Sequence, residues 1–345
     1  MDSFADTDLP TGLKSALVSM ANNSLAKGTW STYTTAYKHI VACQEETGRD
    51  ITFPMTKNDV LLFTSWLLTS RGIKASSAEV YLSALRQIHL VKGLEVPTLR
   101  PDIVKTIIQG AKHKDTIKDR LEGTPKRLPV TISMMKMIKL ELGNMGISYK
   151  MMRLVWSVCT LAFFGAFRIH EILSRAEGHF DPCFTLLREN IKLKNVKIGK
   201  ETEKILQVTL KSPKEDRVGK EILVDVYASH GLLCPVKAFE KWENTNPPNE
   251  KNKPAFRDEH GTPLTGRKLN AILKKCLNQH IKYEDGFVSS HSFRAGIASL
   301  MGTLGYADSE IKAIGRWSSS AFENYLKLPR TKRAEMARKI GSWKL

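Results

Sequence analysis

His291 and Arg294 belong to one of three local segments whose residue types could do chemistry. They stand at the start of a predicted helix that follows the turn Asp285-Gly286. Residues three positions apart share one face of a helix, and a helix N-terminus offers unpaired N–H groups and the positive end of the helix dipole. This arrangement suits an anion such as a phosphate. The alternative is that His291 only caps the helix.

A second segment places Arg168 directly after a long apolar stretch and three residues before Glu171. The arginine therefore ends a buried helix and has a carboxylate within reach on the next turn. The alternative is a plain surface arginine that forms an ion pair with Glu171.

A third segment contains Trp317 and Tyr325. Ser320 and Glu323 have the spacing of a capping box, which predicts a short helix that begins after Trp317 and ends before Pro329. Tyr325 lies on that helix. Tyrosines in the middle of helices are usually core or interface residues, so a purely structural role is the alternative.

The elements that must position these residues divide into two domains. Apolar residues at helical spacing predict an N-terminal bundle, with Ser76 or Ser77 as the N-cap of its third helix. The segment 114–130 is polar, contains Gly123, Pro125 and Pro129, and has no sustained period. We assign residues 1–118 to the first domain, 119–130 to a linker and 131–345 to the second domain. The four helices of the bundle are predicted at Ser31–Glu46, Lys57–Arg71, Ser76–Lys92 and Pro101–His113.

The second domain is predicted to be mainly helical with one small sheet. The helix from about Met151 to Phe167 is apolar all round, which indicates the centre of the core. Between Asn190 and Val226 the apolar period changes to two, which predicts three short antiparallel strands. The other helices are predicted at Ser133–Leu142, Cys234–Glu243, Thr265–His280, His291–Leu304, Asp308–Ile314, Ala321–Leu328 and Thr331–Trp343.

Charge points to a polyanionic partner. The chain has 345 residues and a net charge of +18. Residues 1–118 carry 14 basic and 11 acidic residues, whereas residues 119–345 carry 39 and 24. Such a surplus repels itself in the compact state, and binding to nucleic acid would relieve the repulsion and release counterions. A solvated basic surface is the alternative.

Other classes of protein are excluded or disfavoured. The apolar fraction of 42% is too high for a largely disordered chain. Five scattered cysteines without a CxxC pair indicate neither a disulfide framework nor a zinc module, so a reducing compartment is expected. The acidic N-terminus and the interrupted apolar stretch 154–167 predict neither a signal peptide nor a membrane span.

Five of these residues stand in the order of a known signature: Arg168, His291, Arg294, Trp317 and Tyr325. The sequence resembles the tyrosine recombinase (phage integrase-like) family, whose signature is an early Arg, then HxxR, then His or Trp, then a nucleophilic Tyr. The phrases HSFRAG, from His291, and GRWSS, from Gly315, are most similar to recombinases of eukaryotic mobile elements of the DIRS-like and Crypton type. The N-terminal bundle resembles the core-binding (DNA-binding) domain of the family.

The resemblance implies a role for each residue. Tyr325 is the nucleophile, Arg168 and Arg294 bind the phosphate oxygens, and His291 assists near the phosphate. Trp317 donates its indole N–H and packs against the site, and Glu171 holds the site without reacting. The family also uses a lysine in a β-hairpin turn as general acid. Lys211, at the end of the second strand, is the first candidate, and Lys214 and Lys220 are the competitors.

The resemblance also implies partners. We expect duplex DNA at terminal repeats or recombination sites, a homo-tetramer on paired sites, and a monomer or dimer without DNA. No cofactor, metal or membrane is expected, and the location is nuclear for a eukaryotic mobile element and otherwise cytoplasmic. The basic amphipathic helix predicted at 330–345 docks either in cis or on a neighbouring subunit. Alternatives for the function are a type IB topoisomerase that relaxes DNA, or a catalytically silent DNA-binding protein derived from a recombinase.

Overall fold

The computed structural model divides the chain into an N-terminal unit, Met1–Thr124, and a C-terminal unit, Pro125–Leu345. It describes residues 27–317 except 93, 100, 179, 183–184, 212–220, 230, 246–249, 279 and 283–284, together with Glu323 and several residues between 10 and 20. Tyr325, Lys214, Lys220 and the predicted helices at 321–328 and 330–345 lie outside the described residues. Among the described helices, none combines the length and apolar character needed to cross a membrane.

The N-terminal unit contains four long described helices: α1 (Lys27–Thr47), α2 (Lys57–Thr69), α3 (Ala75–Val91) and α4 (Asp102–Leu121). Their apolar faces meet in one core that includes Phe63, Leu67 and Leu82. A capping box begins α2: the Thr56 hydroxyl accepts the backbone N–H of Asp59, and the Asp59 carboxylate accepts the N–H of Thr56. The four helices confirm the fold class predicted for this half.

Helix α4 is longer than predicted, because it continues beyond His113 to Leu121. Two carboxylates on the extra turns contact the start of α3: Asp115 Oδ2 accepts the Ala75 N–H at 2.8 Å, and Asp119 Oδ1 accepts Lys74 Nζ at 2.9 Å. The prediction of the helix end relied on an apolar stripe, whereas polar contacts hold these extra turns. The predicted N-cap at Ser76 or Ser77 is wrong, because α3 begins at Ala75 and Asp115 satisfies its first N–H group.

The C-terminal unit is built around α6 (Tyr149–Phe164), whose residues from Leu154 to Phe163 are all buried. This confirms the predicted core helix. The unit has a second core separate from that of the bundle, and it includes Phe239, Phe256 and Phe293. The remaining described helices are α5 (Ile132–Asn144), α7 (Ile169–Ile172), α8 (Pro235–Glu243), α9 (Gly266–Leu277), α10 (Ser292–Leu304) and α11 (Asp308–Gly315), with a 3-10 helix at Arg188–Asn190.

The predicted sheet is confirmed. Strands β1 (Ile191–Ile198), β2 (Glu201–Leu210) and β3 (Ile222–Tyr227) form one antiparallel sheet in sequence order. Val208 faces Ile191 across the first ladder and Val224 across the second. This register places alternating apolar residues on the face that joins the core.

The segment that follows the unit boundary is held against the start of α10. Leu128 N–H donates to Phe287 O at 2.8 Å, and Val130 N–H donates to Ser292 O at 3.0 Å. Gly296 allows this close approach, because a Cβ at that position would lie 2.1 Å from Val130 O. The backbone around His291 is therefore fixed by the chain that enters the unit.

We expect Gly296→Ala to lower the free energy of unfolding by about 2 kcal/mol, since the added methyl group forces backbone apart in a packed region. The matched control is Gly143→Ala on α5, where a Cβ would meet no atom within 4 Å. Urea denaturation followed by circular dichroism measures both. Equal stabilities for the two variants would contradict the close approach.

Candidate functional site

The site begins at a tight turn after α6. Ala166 has a φ of +47°, which is uncommon for a residue with a side chain. Gly165 precedes it, and a Cβ there would lie 2.2 Å from the Phe167 ring. The turn brings the chain from the buried end of α6 directly to Arg168, and it leaves the carbonyl groups of Gly165 and Ala166 available as acceptors.

Arg168 and Glu171 form a pair across the first turn of α7. Arg168 Nη1 donates to Glu171 Oε1 at 3.0 Å, and the Arg168 backbone N–H donates to Glu171 Oε2 at 2.9 Å. The Glu171 side chain is only 7% exposed, whereas that of Arg168 is 23% exposed. Arg168 is therefore partly buried, and its carboxylate partner fixes the orientation of the guanidinium group.

Arg294 reaches the same turn from a distant part of the sequence. It lies in the first turn of α10, is 6% exposed, and donates from Nη1 to Ala166 O at 2.9 Å. The centre of its guanidinium group lies 4.5 Å from the centroid of the Trp317 ring. The structure thus brings together the regions of Arg168, Arg294 and Trp317, which the sequence separates by up to 149 positions.

Arg316 is a further member of this site that the sequence analysis missed. Its Nη1 donates to Gly165 O at 2.9 Å, and its Nη2 donates to Ala166 O at 3.3 Å and to Glu171 Oε2 at 3.1 Å. Arg316 has a φ of +54°, and its guanidinium group lies over the Phe167 ring. Gly315 directly precedes Arg316, and a Cβ at Gly315 would collide with the Trp317 ring. This glycine is a local sequence signal of the tight turn.

Arg168, Arg294 and Arg316 form what we call the arginine cluster. Glu171 is the carboxylate that joins two of them, and the carbonyl oxygens of Gly165 and Ala166 accept hydrogen bonds from Arg294 and Arg316. Three guanidinium groups around one carboxylate leave an excess of positive charge. Such an excess of fixed donors suits the binding of a phosphate group.

His291 lies beside a second histidine. Its ring centroid is 5.8 Å from that of His170, and both side chains are exposed. His291 occupies the N-cap position of α10, but its imidazole makes no capping bond to the helix. The alternative of a simple helix cap is therefore wrong. His170 was not predicted, although it stands between Arg168 and Glu171 in the sequence.

Helix α9 supports both histidines from one side. The Ser290 N–H donates to Asn270 Oδ1 at 2.7 Å, which anchors the residue before His291. A Cβ at Gly266 would lie 3.6 Å from His170 Cε1, so the start of α9 packs closely on that ring. Partial desolvation lowers the pKa of His170, and the positive charge of Arg175 lowers it further.

Lys211 follows β2 and is placed by an ion pair, with Nζ 3.4 Å from Glu189 Oε1. Its side chain is 34% exposed, so the amine is accessible to solvent. Because Lys214, Lys220 and Tyr325 lie outside the described residues, the choice of general acid and of nucleophile stays a prediction. Within the described residues, no group of three or more His, Cys, Asp or Glu side chains is placed to hold a metal ion.

We expect Arg316→Ala to lower the free energy of unfolding by about 2–3 kcal/mol, because it removes charged hydrogen bonds from the nearly buried Glu171 and from two carbonyl groups. Arg316→Lys should recover only part of the lost stability, since an ammonium group cannot present the planar set of donors of a guanidinium group. The control is Lys204→Ala, which breaks the more exposed pair with Glu240. Urea denaturation should show a larger loss of stability for Arg316→Ala than for Lys204→Ala. An equal or smaller loss would contradict the conclusion that Arg316 stabilises Glu171 and the turn.

The pKa of His170 should lie below its ordinary value of 6.5 in the folded protein. Between that lowered pKa and 6.5 the unfolded chain binds more protons, so His170 favours unfolding as the pH falls. Arg175→Gln should raise the pKa part of the way, because desolvation remains. NMR titration of the ring 13Cε1 signal, assigned with His170→Asn, measures both values. A pKa at or above 6.5 in the unsubstituted protein would refute the packing of α9 on this ring.

No protein-family model and no curated protein sequence matches this chain. Solved structures do share its fold. XerH site-specific recombinase bound to palindromic difH substrate has a TM-score of 0.58 and 12% identity, over 90% of this chain and 80% of that one. A lambda integrase (75–356) dimer bound to a COC′ core site has a TM-score of 0.57 and 13% identity, over 94% of each chain.

The Tn1549 transposon integrase in complex with circular intermediate DNA is also similar, with a TM-score of 0.50 and 12% identity, over 80% of this chain and 84% of that one. At these identities the similarity concerns the fold. The mainly helical chain with its three-stranded sheet therefore has the fold of the tyrosine recombinases and integrases.

Proposed function

We propose that this protein is a site-specific DNA recombinase that cleaves and rejoins duplex DNA through a 3′-phosphotyrosine intermediate. The observation that carries the proposal is the arginine cluster, in which Arg294 and Arg316 both contact the turn that precedes Arg168. Side chains distant in sequence are held at one place with more positive than negative charge. The fold shared with DNA recombinases and integrases supports the same reaction class.

The proposed reaction transfers a phosphoryl group without loss of the phosphodiester energy. The phenol oxygen of Tyr325 attacks the scissile phosphorus and gives up its proton to His291 or to water, and the bond from phosphorus to the 5′ oxygen breaks. A proton from the general acid, Lys211 in this proposal, completes the 5′-hydroxyl group. The reverse reaction, with a 5′-hydroxyl from another strand, rejoins the DNA.

The arginine cluster stabilises the negative charge of the transition state in this scheme. Negative charge grows on the two non-bridging oxygens in the transition state, and Arg168 and Arg294 bind those oxygens. Arg316 acts through Glu171 and the turn, so it is a positioning residue. His291 exchanges a hydrogen bond or proton near the phosphate, and Trp317 packs on Arg294 and offers its indole N–H.

We extend the proposal to the partners. The N-terminal unit is a core-binding domain on duplex DNA, and the active assembly is a tetramer on paired sites. The mobile-element role, integration or excision, rests on the similarity of HSFRAG and GRWSS to the DIRS-like and Crypton recombinases. The net charge of +18 supports binding to a polyanion.

Tyr325→Phe should abolish covalent capture of DNA and leave binding largely intact, because only the nucleophilic oxygen is lost. The assay uses a pool of randomised duplexes nicked on one strand, so that cleavage releases a short fragment and traps the enzyme. Denaturing gel electrophoresis separates the covalent adduct, and a gel-shift assay measures binding. The control is Tyr306→Phe, which removes the same oxygen from a side chain that is 49% exposed.

Three results would overturn the proposal. Capture by the Tyr325→Phe protein would exclude Tyr325 as the nucleophile. DNA binding by the unsubstituted protein without any covalent adduct would favour the catalytically silent DNA-binding protein. Relaxation of supercoiled plasmid without exchange of strands between selected sites would favour the topoisomerase.

A further inference from the structure

The C-terminal unit contains a cavity that the proposed reaction does not use. It has a volume of about 370 Å³, within the range of about 300–1,000 Å³ that is typical of ligand pockets. Helices α5, α6 and α8 and the loop before α8 form its walls. Its apolar lining includes Leu142, Met152, Ala238 and Trp156. Because Trp156 is only 9% exposed and belongs to the core, the floor of the cavity is apolar and aromatic.

The rim of this cavity carries four basic residues, Lys139, Arg153, Lys237 and Lys241. None of the residues that line the cavity is acidic, and the structure describes all of them. Within the described residues, none of the four basic side chains forms an ion pair with a carboxylate. The cavity therefore combines an apolar floor with an excess of positive charge.

Acidic residues next to the rim in the sequence are engaged at other places. On α8, the Glu240 carboxylate lies 2.8 Å from Lys204 Nζ of β2. On α5, the Glu141 carboxylate lies 3.0 Å from the His280 ring nitrogen Nε2. Neither acid lines the cavity, so in the described part of the chain the positive charge at the rim is not neutralised.

Arg153 presents an oriented guanidinium group at this rim. Its central carbon lies 4.0 Å from the centroid of the Tyr149 ring, and its Nη1 donates to Lys241 O at 2.8 Å. That is the one hydrogen bond of the guanidinium group to the described residues, although the group carries several N–H donors. The other donors are suited to bind two oxygens of a carboxylate or a phosphate group.

Lys139 lies where the basic rim meets the aromatic floor. Its Nζ is 5.4 Å from the centroid of the Trp156 ring and donates to Leu232 O at 3.3 Å. Partial burial lowers the pKa of Lys139, and the positive charge of Lys241 lowers it further. A bound anion would relieve the repulsion between these two lysines.

The position of the cavity separates it from the arginine cluster. Both are attached to α6, but Arg168 follows the C-terminal end of that helix, whereas Tyr149, Met152 and Trp156 lie in its N-terminal half. At about 1.5 Å per residue, Trp156 is about 12 Å and Tyr149 about 22 Å from Phe164 along the helix axis. An occupant of the cavity therefore does not need to touch the site of the arginines.

The lining determines the chemistry of an occupant. The floor favours a compact apolar body, and the rim favours a negatively charged group. Duplex DNA suits only the rim, because its outer surface presents phosphate groups and no apolar part that would reach Trp156. Residues 330–345 contain six basic residues and one acidic residue, so repulsion between like charges disfavours this tail. A small molecule with an apolar body and an anionic group suits both the floor and the rim.

We propose that the cavity between α5, α6 and α8 binds a small amphipathic organic anion, with its apolar body on Trp156 and its carboxylate or phosphate group at the basic rim. Such a ligand contacts three helices at once, and it stabilises the C-terminal unit because it binds only the folded chain. The site lies outside the proposed active site, so the inference holds or fails independently of the recombinase reaction.

The test titrates the full chain with anilinonaphthalenesulfonate, a dye that joins an aromatic body to one anionic group and fluoresces in apolar surroundings. Lys139→Gln with Lys241→Gln should weaken binding of the dye about tenfold, because two cations of the rim are lost. Ala238→Leu should also weaken it about tenfold, because the larger side chain takes up part of the cavity. Lys274→Gln with Lys275→Gln, two exposed residues of α9, is the matched control for charge and should leave the affinity unchanged.

A comparison of ligands tests the requirement for an anion and identifies its class. Phenylnaphthylamine has the aromatic body of the dye without the sulfonate, so its binding should not respond to Lys139→Gln with Lys241→Gln. Decanoate and naphthyl phosphate then compete with the dye. Stronger displacement by decanoate would assign the cavity to alkyl carboxylates, and stronger displacement by naphthyl phosphate would assign it to aryl phosphates.

Circular dichroism establishes that each variant is folded, since loosely packed chains bind this dye without a specific site. Absence of dye binding, or binding that the cavity variants weaken no more than the control, would overturn the proposal. So would a bound dye that neither competing anion displaces. Displacement by duplex DNA or by a peptide of residues 330–345, but by neither small anion, would overturn it in favour of nucleic acid or of the tail of the chain.

Discussion

The structure of the site depends on holding several guanidinium groups close to one another. Arg168, Arg294 and Arg316 would repel each other without the carboxylate of Glu171 and the carbonyl groups of the turn after α6. The turn can supply these acceptors because Ala166 adopts a left-handed conformation, which directs its carbonyl to two arginines at once. The carbonyl groups of this turn and a nearly buried acid thus stabilise an arrangement of charge that is suited to phosphate, and they offset the cost of the uncommon backbone conformation at Ala166.

Local sequence signals predicted most of the fold. The apolar character of α6 and the period of two in the strands identified the second core and its sheet, because both patterns reflect burial within a single element. The end of α4 was missed, since Asp115 and Asp119 stabilise it by contacts with a different helix. Contacts of this kind join residues about 40 positions apart, and no local pattern records them.

The site shows the same division. Arg168, His291, Arg294 and Trp317 could be selected from the sequence because their order follows a family signature. Arg316 could not, because its role arises only when the chain brings residue 316 to the turn at Gly165 and Ala166. His170 was hidden for a similar reason: its neighbour His291 and the packing of Gly266 come from other segments. Both overlooked residues owe their place in the site to contacts with distant segments and not to their residue type.

The backbone pairing at the entrance to the C-terminal unit has a mechanical consequence. Only a few residues separate Thr124 from Leu128 and Val130, whose amides are bonded to Phe287 and Ser292 on either side of His291. These two bonds fix the spacing between the entering backbone and the backbone on either side of His291, so neither can shift without breaking a hydrogen bond to the other.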